Sequence, residues 1–247
     1  MSPIQSWVNE KFPNSKITTL EELTKKISGV SKVRVGINRT VNSYYEITLN
    51  EINDEGLVVL NDSIKKKESA NESAINTQNL QVGDLIFPKT FAKYKSIKIG
   101  RIDKKYDDYV VANNSMIRIS FPNTKIELLP KFIQYYLQHS VVQDYLYSVS
   151  RSDRRQIQIN DLKFLPVPEL TESELLNIIK KIDHNQTSVK IANTILEKIN
   201  KLLELQNDLQ NDSIFLQNTD STNCDFKIID KQIDECLKEL LLKKLDY

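Results

Sequence analysis

Glycine is scarce in this sequence, and its spacing excludes one large class of nucleotide-binding sites. Only five of the 247 residues are glycine, and no two of them are close together: Gly29, Gly36, Gly56, Gly83 and Gly100. A loop that cradles phosphates needs clustered glycines, because only a backbone without side chains can approach a phosphate closely. We therefore expect neither ATP-driven chemistry nor a glycine-rich cofactor loop. The Asn/Asp-Pro-Pro-aromatic motif of amino-methyltransferases is also absent.

Histidine and cysteine are also rare, which argues against a metal-binding site or a catalytic nucleophile. The sequence has two histidines, His139 and His184, and two cysteines, Cys224 and Cys236. Structural zinc sites need several such residues at short spacing, which this chain lacks. A carboxylate cluster built on Asp103 is a pattern that arises by chance in any charged chain. We predict no catalytic residue, no metal site and no disulfide framework.

Long apolar runs are missing as well. No stretch of about 18 apolar residues occurs, so we expect no membrane-spanning helix. Residues 1–16 contain no apolar core segment, so we expect no signal peptide and a cytoplasmic location.

Charge is nearly balanced overall, but it is segregated along the chain. The formal net charge is +1. Residues 89–105 contain seven basic residues and one acid, whereas residues 204–239 contain nine acids and three lysines. A solvated surface explains either run alone, but it explains their segregation less well. The first run is suited to an anionic partner such as nucleic acid, and the second is not.

Hydrophobic periodicity predicts an α+β fold with a mixed sheet and flanking helices. Thr19 and Glu22 form a capping box that opens a short helix through Ile27, and an aromatic helix of about five turns is expected over Pro130–Leu146. A polar stretch, Asn61–Asn79, is interpreted as a mobile loop, and Pro166 and Pro168 predict an extended exit. Strands are predicted at Tyr44–Leu49, Leu57–Leu60, Leu85–Phe87, Ile97–Ile102, Tyr109–Val111, Met116–Ile119 and Gln156–Ile159.

A second capping box, Thr171 to Glu174, opens a long helix of coiled-coil type. Asn185 is the polar position that fixes the register of helix pairing. Asn211–Asp225 breaks the spacing of apolar residues three and four apart, and a shorter helix is predicted after it over Ile229–Leu241. This division gives two domains, residues 1–168 and 169–247. The predicted pairing seam comprises Leu175, Ile178, Ile182, Asn185, Val189, Leu196, Ile199 and Leu203.

Three segments combine basic and polar side chains in the way that DNA reading requires. Arginine can bind guanine, and glutamine or asparagine can bind adenine, each through two hydrogen bonds. For any single residue a solvated surface role is the better explanation, but three arginines within five residues of the third segment favour an anionic partner. The candidates are Lys32, Arg34, Asn38 and Arg39 in the first segment, Lys89, Lys93 and Lys95 in the second, and Arg151, Ser152, Arg154, Arg155, Gln156 and Gln158 in the third.

The order of these parts resembles the specificity subunits of type I restriction–modification systems. Four stretches carry the resemblance, which covers roughly residues 5–210: Trp7 with Thr19–Leu23, Gln81–Phe87, Pro130–Leu146, and Ile157–Leu170. Two details differ, since Glu169 replaces a proline of the usual exit and Glu172-Ser173 stands where Glu-Gln is expected. The chain also has one recognition domain and one spacer helix where the family usually has two of each. It therefore resembles a half-length subunit.

The resemblance implies a non-catalytic, DNA-reading role. The target-recognition domain would read one half of a bipartite site on double-stranded DNA. The spacer helix would dock an adenine methyltransferase subunit, which recruits the ATP-dependent restriction subunit. S-adenosylmethionine, ATP and magnesium would then be bound by those partners and not by this chain. A half-length chain would form a homodimer and recognise an interrupted palindrome.

Two other interpretations remain open at the level of sequence. In one, the chain is a coiled-coil interaction module, or an antagonist that imitates a specificity subunit without reading DNA. In the other, it is a stand-alone nuclease.

Overall fold

The chain divides into two units, Met1–Ile179 and Lys180–Tyr247, in the computed structural model. Within them the structure describes residues 2–33, 42–61, 64, 66–69, 72–90, 97–122, 128–150 and 156–215. The first unit contains three β-sheets, six α-helices and one 3-10 helix (Leu49–Glu51) among its described residues, together with the start of a seventh α-helix. This arrangement confirms the predicted α+β class. The first turns of the last helix belong to the first unit, so this division falls later in the chain than residue 168.

A helix that the sequence analysis did not predict opens the chain. Helix α1 (Pro3–Lys11) begins with a capping box between Ser2 and Gln5, with Pro3 in its first turn. Ile4 and Val8 are fully buried on its inner face. The capping residues and the i, i+4 spacing of these two apolar side chains were the available signal.

The predicted helix at Thr19 is real but much shorter than expected. Thr19 caps helix α2 (Leu20–Leu23), and its hydroxyl accepts from the Glu22 N–H. The prediction that Ile27 continues this helix is wrong. Ile27 lies on strand β2 (Lys26–Gly29), opposite Ile119 of the neighbouring strand. Pairing with a strand that lies far away in the sequence therefore overrides the helical spacing of the local apolar residues.

Strand β1 (Lys16–Thr19) pairs with β9 (Pro166–Glu169) in an antiparallel two-stranded sheet. The predicted extended exit is confirmed. Strand β9 therefore lies beside the strand that follows α1.

A four-stranded antiparallel sheet forms the centre of the first unit. Its order is β2, β8 (Met116–Ser120), β5 (Leu85–Pro88) and β6 (Gly100–Arg101). Leu85 and Phe87 lie in one hydrophobic core, whereas Ile86 lies in the other. Strand β5 is therefore buried on both faces, which explains its uninterrupted apolar sequence.

A three-stranded mixed sheet covers part of the second core. It consists of β4 (Lys66–Ser69), β3 (Asn42–Ile47) and β7 (Tyr109–Ala112), with β3 and β7 parallel. The interpretation of Asn61–Asn79 as a mobile loop is wrong, because it holds β4 and helix α3 (Glu72–Gln78). Fully buried Ile75 anchors α3, and ion pairs from Lys66 to Asp108 and from Lys67 to Glu46 hold the polar strand β4.

Of two further predicted strands, one is replaced by isolated bridges and the other is shortened to two residues. Leu57 and Val58 form single bridges with Arg101 and Ile52 instead of a strand over Leu57–Leu60. Of Ile97–Ile102, only β6 is extended and paired, although Ile97 and Ile99 are both buried as the alternation predicts.

The predicted aromatic helix is two helices. Helix α4 (Leu128–Gln138) ends before His139, and α5 (Ser140–Val149) begins after it. His139 has an extended backbone, and its side chain accepts a hydrogen bond from the Val141 N–H at 3.3 Å. The i, i+4 spacing of apolar residues continues across the break, so periodicity alone did not reveal it.

The last two helices are α6 (Ile159–Lys163) and α7 (Glu172–Phe215). The Thr171–Glu174 capping box is confirmed, with Thr171 N donating to the Glu174 carboxylate at 2.8 Å. Helix α7 continues past Asn211, where a break was predicted, and the predicted helix Ile229–Leu241 lies outside the described residues. None of the described helices combines the length and apolar character needed to cross a membrane.

The start of α7 corrects the predicted seam. Leu175 and Ile179 are buried in the core of the first unit, and Ile178 packs against it. Leu175 and Ile178 are therefore engaged within their own unit. Ile182 is half-buried and Asn185 exposed, while the side chains of Val189, Leu196, Ile199 and Leu203 lie outside the described part of the structure.

Candidate nucleic-acid interface

Three strand termini meet at one end of the four-stranded sheet. Strands β2 and β5 finish there at Gly29 and Pro88, and β8 starts there at Met116. The register pairs Pro88 with Met116 and Gly29 with Ile117. We call this end of the strands the Pro88 end of the sheet.

The described ends of the three predicted DNA-reading segments adjoin the Pro88 end. The first segment starts at Lys32, just after Gly29, and the second starts at Lys89, just after Pro88. The third finishes beside Lys89, because Ile157 N donates to the Lys89 carbonyl at 2.8 Å and Thr90 forms a bridge with Gln156. The structure thus brings together segments that are far apart in the sequence.

Lys89 lies at the centre of this arrangement. Its N–H donates to the Ser115 carbonyl at 2.9 Å, and its ammonium group donates to the Asn114 carbonyl. A Cβ atom added to Gly29 would lie 3.7 Å from the Lys89 Nζ. Lys89 therefore touches the end of β2, the 113–115 turn and the third segment.

The third segment differs locally from its prediction. The alternation of Gln156-Ile157-Gln158-Ile159 predicted a strand, but only Gln156 is paired, and Ile159 begins α6. Gln158 N donates to the Asp161 carboxylate at 2.8 Å, which fixes the start of that helix. Ile157 is buried, so it anchors the segment while the half-buried glutamines on either side border a shallow cleft of about 260 Å³ with Lys89.

The remaining candidates divide between described and undescribed parts of the chain. Lys32 is exposed, and Lys89, Gln156 and Gln158 are half-buried. The other predicted DNA-binding residues lie outside the described residues: Arg34, Asn38, Arg39, Lys93, Lys95, Arg151, Ser152, Arg154 and Arg155.

The sequence analysis missed the 113–115 turn. Asn113, Asn114 and Ser115 link β7 to β8 at the Pro88 end, and Asn113 Oδ1 accepts from Ser115 N at 2.9 Å. The Asn-Asn-Ser sequence between two apolar strands was a recognisable turn signal. Its proximity to the other segments depends on strand register, which no local pattern records.

The basic run from Lys89 to Lys105 does not form one patch. Arg101 pairs with Leu85 at the opposite end of β5 from Pro88, and the chain then turns through Lys104 and Lys105 to reach β7. Lys104 and Lys105 are exposed and lie away from the Pro88 end. Charge clustering in sequence therefore overstates clustering in space.

A buried ion pair supports the sheet below this end. Gly83 has a φ of +88°, and the turn it forms directs Asp84 towards Arg118, whose Nη2 lies 2.6 Å from Oδ2 of Asp84. Gln81 N also donates to Oδ2 at 2.7 Å. Burial raises the pKa of Asp84, and the Arg118 charge opposes that rise. The Gln81–Phe87 motif thus serves to position β5.

The described residues hold no group of three or more His, Cys, Asp or Glu side chains arranged to bind a metal ion.

Scans of the sequence against protein-family models and curated proteins find no match. Solved structures do match. The HsdS subunit from Thermoanaerobacter tengcongensis has 17% sequence identity and a TM-score of 0.55, and the match covers 80% of this chain and 49% of that chain. A chain from a study of complex assembly and conformational transition of the type I R-M system has 16% identity and a TM-score of 0.46, covering 81% and 47%.

The resemblance inferred from the sequence is therefore confirmed at the level of the fold. This chain spans about half the length of the solved chains that it matches. Over 80% of its length, this chain is similar in fold to the HsdS subunit from Thermoanaerobacter tengcongensis.

Proposed function

We propose that this chain is a DNA-reading specificity subunit of a type I restriction–modification system. One observation carries the proposal: the described ends of three basic and polar segments, distant in sequence, adjoin the same end of one sheet. Lys89 and the Gln156–Gln158 stretch are joined there by backbone pairing, and the segment starting at Lys32 follows β2, which lies on the other side of β8 from β5.

This arrangement meets the physical requirements of sequence readout. Base edges are read by polar and basic side chains, while phosphate contacts fix the register of the protein on the duplex. Gln156 and Gln158 suit adenine, and the arginines between Arg151 and Arg155 suit guanine or phosphate. A rigid sheet below the loops limits the entropy that is lost when they bind DNA.

Partners follow from the same proposal. The chain directs an adenine methyltransferase subunit and an ATP-dependent restriction subunit to the site that it reads. S-adenosylmethionine, ATP and magnesium belong to those subunits, so this chain performs no chemistry itself. The likeness to HsdS in fold supports this assignment.

A chain with one reading domain needs a second copy to read a two-part site. We propose that α7 supplies the dimer contact beyond Ile179, because Leu175 and Ile178 are engaged in the core of the first unit. The seam then runs from Ile182 through Leu203. A symmetric dimer presents two identical readers in opposite orientations, so the target is an interrupted palindrome.

Selection from a random duplex pool tests the proposed function. The purified chain is incubated with duplexes carrying a random core, and bound DNA is amplified and sequenced over several rounds. We expect enrichment of two inverted half-sites separated by a fixed spacer. Failure to enrich any sequence would contradict DNA reading and favour the interaction-module interpretation.

A further inference from the structure

A second cleft lies along the outer strand of the four-stranded sheet. Its volume is about 560 Å³, and it runs beside β2 with α3 as the opposite wall. Strand β2 is at the edge of the sheet, paired only with β8 among the described strands. We call this feature the β2 cleft.

The register of β2 and β8 determines the floor of the β2 cleft. Lys26 pairs with Ser120 and Ser28 pairs with Arg118. Directly paired residues project from the same face of a sheet, so these four side chains share one face. The alternate residues of β2 and β8, Ile27 and Ile119, are buried in the core on the other face.

The charges of the β2 cleft favour an anion. Lys25 and Lys26 line the cleft, both are exposed, and neither makes an ion pair within the part of the chain that the structure describes. Asp84 is the one carboxylate among the described lining residues, and Arg118 neutralises it. Two uncompensated positive charges therefore remain.

Hydroxyl groups add neutral donors around those lysines. Ser28 and Ser31 follow the lysines along the chain, and Ser73 lines the opposite wall on α3, whereas the Thr77 hydroxyl donates to the Ser73 carbonyl. Ammonium groups with nearby hydroxyls are the combination that proteins use for the sugar–phosphate backbone of DNA.

The β2 cleft leads towards the Pro88 end. Gly29 borders both this cleft and the smaller one formed with Lys89 and Gln156. Lys26 lies three residues before Gly29, or about 10 Å along an extended strand. That distance corresponds to roughly three base pairs along a duplex.

We propose that Lys25 and Lys26 bind a backbone phosphate of the same DNA whose bases are read at the Pro88 end. This inference rests on the proposed DNA-reading function and extends its footprint by one sequence-independent contact. The two lysines set the register of the duplex and do not select bases.

The test compares Lys25→Gln/Lys26→Gln with a matched control, Lys104→Gln/Lys105→Gln. Both variants remove two exposed lysines, but the control pair lies on the β6–β7 connection, away from the Pro88 end. Fluorescence anisotropy measures affinity for the selected duplex and for a scrambled duplex from low to moderate salt. Thermal melting checks that each variant is folded.

We expect the slope of log affinity against log salt to become less negative by about 0.9 in the Lys25/Lys26 variant, which corresponds to the loss of one phosphate contact. Affinity for the two duplexes should fall by the same factor, and the control should keep the wild-type slope. If the wild type binds DNA and the Lys25/Lys26 variant has an unchanged slope, this inference is overturned while the proposed function stands. If the wild type binds no DNA, both are overturned.

A further arm separates a DNA phosphate from a free one. ATP and inorganic phosphate are each added to the wild type and to the Lys25/Lys26 variant without DNA, and melting temperatures are recorded. We expect no difference between the two proteins. Stabilisation of the wild type alone would assign the cleft to a free phosphate compound and overturn the assignment to DNA.

Discussion

The backbone N–H of Ile157 donates a hydrogen bond of 2.8 Å to the carbonyl oxygen of Lys89. These residues are 68 positions apart in the sequence, yet the bond holds the backbones of two candidate DNA-reading segments next to each other. Because Ile157 is also 2% exposed, its side chain fixes the segment from the core while Gln156 and Gln158 remain at the edge of the cleft. We expect bases contacted by the two segments to be neighbours on the DNA.

Gln134 joins separate parts of the first unit, and its replacement should destabilise the fold. Its side-chain amide donates to the Gly56 and Ile99 carbonyls at 2.7 and 3.0 Å and accepts from Arg101 Nε at 3.1 Å. Gln134 is 1% exposed, so Gln134→Leu removes three hydrogen bonds at a buried position, although the Gly56 carbonyl still accepts from Arg101 N. We expect a loss of on the order of 3 kcal/mol in the free energy of unfolding, measured by urea denaturation.

Two companion variants sharpen this prediction. Gln138→Leu, on the same helix but half-buried, should change stability by less than about 0.5 kcal/mol. Gly56→Ala should also destabilise, because Gly56 has a φ of +73° and its new Cβ would lie 2.3 Å from Gln134 Nε2. Wild-type stability in Gln134→Leu would contradict the account.

Removal of Arg118 should leave a buried carboxylate uncompensated. Asp84 is 3% exposed and has Arg118 as its ion-pair partner. We expect Arg118→Met to cost about 3–5 kcal/mol near pH 7, and Asp84→Leu with Arg118→Met to cost less than the sum of the single changes. Urea denaturation of all four proteins gives the coupling energy. Additive effects would show that the pair makes no net contribution.

The pH dependence of the Arg118→Met variant has a definite sign. Burial already raises the pKa of Asp84, and loss of the opposing Arg118 charge raises it further. A carboxyl group whose folded pKa exceeds its unfolded value, about 3.9, binds its proton more tightly when folded. The free energy of unfolding of the variant should therefore approach that of the wild type as pH falls from about 7 to about 4. A deficit that does not change with pH would contradict this.

His139 should make stability fall under mildly acidic conditions. Burial lowers the pKa of His139, and the charge of Lys11 lowers it further. The folded state therefore favours neutral His139, whose side chain accepts from Val141 N–H and whose ring lies 4.6 Å from that of Trp7. The stability that neutral His139 gives to the fold is fully present above the unfolded pKa, about 6.5. It is lost as pH falls through the lower pKa of His139 in the folded state.

His139→Asn is the variant that isolates this effect, because asparagine keeps a capping acceptor but does not titrate. The urea midpoints of both proteins are measured at about pH 7.5 and about pH 5.5. We expect the wild type to lose more stability than the variant over this interval. Parallel losses would assign the pH dependence to other groups.

Local signals explain which parts of the fold were predictable. Thr19 and Thr171 were identified as caps because a capping box lies within four residues, and β5 was identified because its apolar run is uninterrupted. Strand β4 was missed because its lysines are stabilised by Glu46 and Asp108, which lie elsewhere in the sequence. The helix break at His139 was missed because apolar spacing continues across it.

The candidate site was predictable in its residue types but not in its assembly. Three segments were selected by composition, yet the proximity of their described ends depends on the pairing of Pro88 with Met116 and Gly29 with Ile117. The same register separates Lys104 and Lys105 from Lys89, although one basic run contains all three. Long-range strand pairing carries this information, and composition does not.

Dimerisation should depend on the part of α7 beyond the first unit. We expect Leu196→Asp with Leu203→Asp to yield monomers in light scattering, because a charge in a helix seam has no compensating partner. Leu175→Asp should instead lower the melting temperature, because Leu175 is buried within the first unit. A dimer that survives both seam changes would show that α7 is not the dimer contact.

The salt dependence of DNA binding tests the central claim most directly. Arg151, Arg154 and Arg155 precede the Gln156–Gln158 stretch that is bonded to Lys89, so they should contact DNA if the Pro88 end is the reading face. For Arg151→Gln/Arg154→Gln/Arg155→Gln, anisotropy with the selected duplex should show weaker binding and a slope of log affinity against log salt reduced in magnitude by up to about 2.7, at about 0.9 per lost phosphate contact. An affinity and a slope equal to those of the wild type would contradict the account.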